Sequence, residues 1–327
     1  MIISILLAVA GLVLLTVAAD HLVLGSSRMA ARLRISPVVV GVVVIGLGTS
    51  APEFLVSGLA AARGDTGIAL GNITGSNILN LTLILGVAAL IAKVAVASTV
   101  IRREVPLAVA GVVLFAAAAW AGLTVIAAVA LLAAAVGTLW LLVRWAGQGR
   151  NTELAEETRE YVAGDGVTEP ATTHSGGGRR TAAWREPVRA LLGLAGVLAG
   201  AQLLVVNASS IATALGVPSL IIGFTLVALG TSLPELVTTV QAQRRGESDL
   251  VVGNLFGSNL FNSLLGGAVI GFAAPGPVPA ASGLLLVMVV TTVLAWGLLG
   301  RGLVLTRGEG AVLLATYLAS MPLVLSL

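Results

Sequence analysis

One segment of this 327-residue chain is written twice, 182 positions apart and without a gap. Gly48-Thr49-Ser50-Ala51-Pro52-Glu53 returns as Gly230-Thr231-Ser232-Leu233-Pro234-Glu235. Gly71-Asn72-Ile73-Thr74-Gly75-Ser76-Asn77-Ile78-Leu79-Asn80 returns as Gly253-Asn254-Leu255-Phe256-Gly257-Ser258-Asn259-Leu260-Phe261-Asn262. Across 41–80 against 223–262, 16 of 40 positions are identical. Unrelated apolar helices would share Leu, Val and Ala. They would not share Gly, Thr, Ser, Pro, Glu and Asn in register, so the fold must be built from two copies of one unit.

The surroundings of each copy say what that unit is made of. Only 10% of the chain is charged and its mean hydropathy is +1.04, against roughly 25% charged residues in a soluble protein. Its solvent is therefore largely lipid. A spanning helix needs about 20 apolar residues, and ten segments qualify: 2–24, 37–60, 67–92, 105–120, 123–144, 188–213, 218–242, 249–273, 281–299 and 309–326. The expected fold is all-α: ten transmembrane helices as two inverted five-helix repeats, at 1–145 and 188–327. Between them, 146–187 reads as a polar cytoplasmic linker, with Glu153, Glu156, Glu157, Glu160, Asp165, Glu169 and the run Gly176-Gly177-Gly178.

Positive charge fixes the expected orientation. With the N-terminus outside, every odd-numbered loop faces the cytoplasm, and those loops with their flanks hold all 18 basic residues except Arg63. Both termini are then outside, in a multi-pass protein of the inner (plasma) membrane. No positive region precedes residues 2–24, so the first apolar run reads as an uncleaved span. Five spans per half reverse the second copy relative to the first. Inverted repeats of this kind mark secondary transporters, whose substrates sit near mid-membrane at the repeat interface among broken helices. Pro52 and Pro234 break helices, and irregular backbone at that depth survives only against protein or a wet cavity.

Glu53 and Glu235 are the only carboxylates deep inside the expected spans. An acidic side chain at a helix centre costs about 2.5–3.5 kcal/mol on insertion scales, so two at matching positions call for a reason. Protonated glutamates locking helices together would be one; a cation site is the other. The neighbours favour the cation. Thr49, Ser50, Thr231, Ser232, Ser76 and Ser258 carry hydroxyls, while Asn72, Asn80, Asn254 and Asn262 carry amide oxygens. Loosened backbone at Gly46 and Ala228 can add carbonyls. Calcium takes about six to eight such oxygens, and the same set could hold several sodium ions. Glu53 lies three residues after Ser50, and Asn80 four after Ser76, so each pair shares a helix face if the turn stays helical.

Other chemistry is thinly supplied. Cysteine is absent, and His21 and His174 have no partner at metal spacing. No cofactor is called for, and nothing points to nucleic acid or to an obligatory protein partner. No His, Cys or Asp accompanies the glutamates to make a nucleophile–base pair, so the chain does not read as an enzyme. Asp20, whose repeat mate is Gln202, reads as an entrance or packing residue near the end of the first span.

Both motifs, the ten spans and the inverted halves resemble the cation/calcium exchanger superfamily, especially the prokaryotic sodium/calcium exchangers. The resemblance implies sodium-driven calcium extrusion by alternating access, with the first and sixth helices sliding against the other eight. It implies that Glu53 and Glu235 are shared carboxylates, that Thr49, Ser50, Thr231, Ser232, Ser76 and Ser258 line the ion positions with carbonyls from Gly46 and Ala228, and that Asn80 and Asn262 complete the set. Some relatives, including potassium-dependent ones, carry Asp where this chain has Asn262, which argues against potassium co-transport here. Proton/cation antiport and a passive cation channel are the rival readings.

Overall fold

The structure, a computed structural model, describes residues 2–33, 35–148, 184–216, 228–278 and 282–325. Helix follows helix: α1 Ile2–Leu33, α2 Pro37–Thr49, α3 Ala51–Ala62, α4 Thr66–Ile91, α5 Glu104–Trp120, α6 Val125–Gln148, α7 Arg185–Ala214, α8 Ala228–Thr231, α9 Leu233–Arg244, α10 Ser248–Ala273, α11 Ser282–Gly302 and α12 Arg307–Leu325. Among the described residues six helices are long and apolar enough to cross a membrane alone, and the bent pair α2–α3 makes a seventh. Three further segments are helical over their described lengths: α5 with 17 residues, α12 with 19, and α8–α9, whose approach through 217–227 lies outside the described residues. The series agrees with ten spans in two inverted halves.

Three boundaries differ from the sequence reading. The first helix does not stop at residue 24 but continues to Leu33, past Arg28 and Arg32. At 1.5 Å per residue its 32 residues measure about 48 Å, well over the roughly 30 Å hydrocarbon core, so its arginine-bearing end stands clear of the lipid. Asp20 is therefore not near the helix end. Helix α6 runs to Gln148 and α7 begins at Arg185, so most of the linker read at 146–187 lies outside the described residues, as do His174 and residues 218–227 of the seventh span.

Inversion is visible where the first helices of the two halves meet. Added Cβ atoms at Gly11, Gly200, Gly193 and Gly25 would lie 2.6–2.8 Å from backbone nitrogens of Leu204, Leu15, Leu22 and Ala190 respectively. As numbers rise along α1 they fall along α7, so these repeat-related helices run antiparallel. Glycine is required there because the two backbones touch, the small-residue packing used between helices in lipid. Contacts also recur under the 182-residue exchange: Gly11 against Leu204 mirrors Leu22 against Gly193.

The repeat is structural down to its irregularities. Arg63-Gly64 and Arg245-Gly246 both end helices, with φ of +83° and +75° at the glycines. Turns of π-helix begin at Asn80 in α4 and at Asn262 in α10; such turns are frequent at functional sites. A two-stranded ribbon, Val94–Ala95 against Val304–Leu305, ties the end of α4 to the start of α12, and a bridge between Leu123 and Val278 serves the repeat-related connections. Helix α10 is the most enclosed of the long helices, with every residue from Leu250 to Phe261 buried.

Candidate functional site

Each half positions its glutamate by breaking a helix. Between α2 and α3 the axis bends by 42°. The break falls on Ser50 (φ −78°, ψ 2°), and its mate Ser232 (φ −93°, ψ 8°) breaks the chain between α8 and α9. Proline follows in the first turn of each new helix, where its missing N–H costs nothing. Glu53 and Glu235 thereby fall in the first turns of α3 and α9, where the helix dipole favours negative charge. Both are fully buried.

The break serines then cross over. The Ser232 hydroxyl donates to Glu53 Oε1 at 3.1 Å, and the Ser50 hydroxyl donates to Glu235 Oε1 at 3.4 Å. Three-residue spacing puts Ser50 and Glu53 on one helix face only if the turn stays helical; the helix breaks at Ser50, and each break serine serves the acid of the other half instead. Ser76 and Ser258 approach the acid of their own half, each at 3.4 Å from its Oε1. Ser258 also lies 3.1 Å from the Gly46 carbonyl, bringing that backbone oxygen into the cluster. Ala228 opens α8, and its contacts lie outside the described residues.

Asparagines frame the carboxylates. Asn72 donates to Ser57 Oγ (3.0 Å) and the Glu53 carbonyl (3.3 Å), and Asn254 donates to Thr239 Oγ1 (3.0 Å) and the Glu235 carbonyl (3.4 Å). Their amide oxygens face the threonines of the opposite half: Thr231 at 3.5 Å from Asn72 and Thr49 at 3.4 Å from Asn254. Thr49 also donates to the Ile45 carbonyl at 2.9 Å. Asn72 and Asn254 thus hold the broken helices in place.

Asn80 and Asn262 are not equivalent. Asn80 donates to Asn259 Oδ1 at 3.0 Å, while neither amide atom of Asn262 has a partner among the described residues. Position 263 explains this. Ser263 captures the Asn77 amide at 2.8 Å, whereas the Asn259 amide donates to the Asn77 carbonyl at 2.8 Å; the repeat mate of Ser263 is the apolar Leu81. Asn77 and Asn259 join this network beyond the residues expected from the sequence. Their signal was present, since both belong to the repeated motif.

Buried polar atoms are normally hydrogen-bonded. Ten buried side-chain atoms lack a partner among the described residues, and six of them belong to Glu53 (Oε2), Glu235 (Oε2), Asn77 (Oδ1), Asn80 (Oδ1) and Asn262 (both). Five are oxygens with free lone pairs and two of those are carboxylate oxygens. Among the described residues no group of three or more acidic, His or Cys side chains gathers. The donor set is hard oxygen with two charges, which suits a hard cation and not a soft one.

The signature of the sodium/calcium exchanger proteins matches residues 3–144 and 187–325, both halves. The chain belongs to that family. CaxA of Alkalimonas amylolytica, an antiporter by name, is 36% identical over the full length of both proteins. Inner membrane protein YrbG of Escherichia coli is 34% identical over 90% of each. Among solved structures, the sodium-calcium exchanger NCX_Mj superposes with a TM-score of 0.83 at 30% identity, covering 98% of each chain. As a member of this family the chain is a multi-pass membrane protein, and the family is one of transporters.

Proposed function

We propose that this exchanger moves Ca2+ against Na+ across the inner membrane by alternating access, using one site shared between its halves. The observation that carries this is the pair of buried glutamates held crosswise by the serines of opposite repeats, with oxygens of Asn77, Asn80 and Asn262 that have no partner among the described residues. Glu53 and Glu235 supply two charges, enough to neutralise one Ca2+. Thr49, Ser50, Ser76, Thr231, Ser232 and Ser258, the Gly46 and Ala228 carbonyls, and Asn80 and Asn262 supply neutral oxygens. The two repeats, through Gln148 and from Arg185, are joined by a cytoplasmic linker, with both termini outside.

Competition follows from the charges. Sodium ions and Ca2+ need the same two carboxylates, so they bind in turn. Two bare acids in a low-dielectric interior repel and are poorly solvated, so the unloaded site resists crossing while the loaded one does not. The antiparallel pair α1–α7 is the natural moving part. It is packed backbone to backbone as a single unit, and α1 is tied to the α9–α10 turn by Asp20–Arg245 and Ser27–Glu247.

Purified protein in sodium-loaded vesicles tests this. Calcium uptake should follow the sodium gradient, persist when an uncoupler clamps protons, and stop when the gradient is removed. Uptake abolished by the uncoupler would assign the chain to proton antiport, and uptake without any counter-ion would make it a channel. Magnesium, manganese and potassium in place of calcium define selectivity.

A further inference from the structure

We propose that the seam between α1 and α7 is a specific site for one anionic phospholipid, its acyl chain lying along the seam and its phosphate held by Arg185 and Arg189. A groove of about 430 Å3 runs there. Its floor exists because side chains are missing: Cβ atoms at Gly193 and Gly196 would lie 2.6 Å from Leu22 N and 2.7 Å from the Ala18 Cβ. Its walls include Leu14 and Leu192, 40% and 68% exposed, suited to a hydrocarbon chain. Trp184, Arg185 and Arg189 line one end.

That end carries surplus positive charge. No residue lining the groove is acidic, and the neighbouring Glu186 lies 3.7 Å from Arg28 and 3.2 Å from Arg189. Arg185 has no ion pair among the described residues and is exposed. Guanidinium groups match phosphate oxygens in a planar fork, tryptophan favours the headgroup level, and basic pockets between helices bind anionic headgroups. The repeat itself does not impose this arrangement. At the symmetry-related end of the same seam, the mates of Trp184, Arg185 and Arg189 are Ile2, Ile3 and Leu7. An apolar groove with a cationic rim at one end only is complementary to a lipid with a negative headgroup.

Trp184 is the reporter. The full-length chain, as wild type and as W184F to isolate the emission of this residue, is placed in phosphatidylcholine vesicles. Brominated phosphatidylglycerol or brominated phosphatidylcholine is then titrated in. The Trp184 component should be quenched at a several-fold lower mole fraction of the anionic lipid. R185Q/R189Q should abolish the preference. R185Q alone, which breaks no ion pair among the described residues and so spares the fold, should weaken it at least two-fold. Equal quenching by the two lipids would overturn the proposal, as would a preference that survives these substitutions.

Discussion

Ser232 of the second half donates its hydroxyl proton to Glu53 of the first at 3.1 Å, so the acid of one repeat is oriented by the helix break of the other. The reciprocal contact, Ser50 to Glu235, is 3.4 Å. Each glutamate takes a hydrogen bond from the opposite half. Coupling should follow these contacts and not sequence proximity. A double-mutant cycle on calcium binding should give about 1 kcal/mol or more between Ser232 and Glu53, using Ser232→Ala and Glu53→Gln. The same cycle for Ser50 and Glu53 should give a few tenths at most. Titration calorimetry on the four proteins of each cycle reads the difference.

Glu53→Gln and Glu235→Gln keep the shape and buried hydrogen-bonding capacity of the site while removing one charge. Removing one member of a buried charged interaction costs about 2–5 kcal/mol, so calcium affinity should drop by at least about thirty-fold. Exchange should fall with it, while the melting temperature holds or rises because an unpaired buried charge is gone. A glutamate pair that merely locked helices would show the reverse pattern: little change in binding and lower stability.

The α1–α7 seam should be intolerant of volume. Gly200→Val places its Cβ where it would lie 2.6 Å from Leu15 N, a backbone atom that cannot step aside. Overpacking of this kind costs about 1–3 kcal/mol. Gly137→Ala on α6 meets nothing within 4 Å among the described residues and should be neutral. Thermal melts in detergent compare the two.

Asp20 and Arg245 form a partly exposed ion pair, with Nη2 to Oδ1 at 2.6 Å and side chains 39% and 34% accessible. Pairs in that setting are worth about 0.2–1 kcal/mol and weaken with salt. Asp20→Asn should therefore barely shift the melting point. It should change the exchange rate if α1 moves against the α9–α10 turn, which stopped-flow calcium flux at low and high ionic strength reads.

Much of this architecture was legible in the sequence because membranes constrain so strongly. Apolar length gives the spans, and a polar motif repeated in register gives Glu53 and Glu235 as a pair. What was not legible arises where the halves meet. Spacing put Ser50 beside Glu53, but the chain breaks at Ser50, and only the packed dimer of repeats shows that it faces Glu235. The unequal roles of Asn80 and Asn262 depend on Ser263 standing opposite Asn77, a three-dimensional neighbour that no single motif records. The length of α1 was missed because residues 25–33, being polar, end a hydropathy window without ending a helix.

Residues 53 and 235 should jointly make one calcium site that sodium contests. Equilibrium binding of radiocalcium to the purified chain, across a range of sodium concentrations, tests it most directly. One calcium per chain, full displacement by sodium, and loss of the site in either Glu→Gln variant are expected. Calcium binding that is indifferent to sodium, or that persists in both variants, would contradict it.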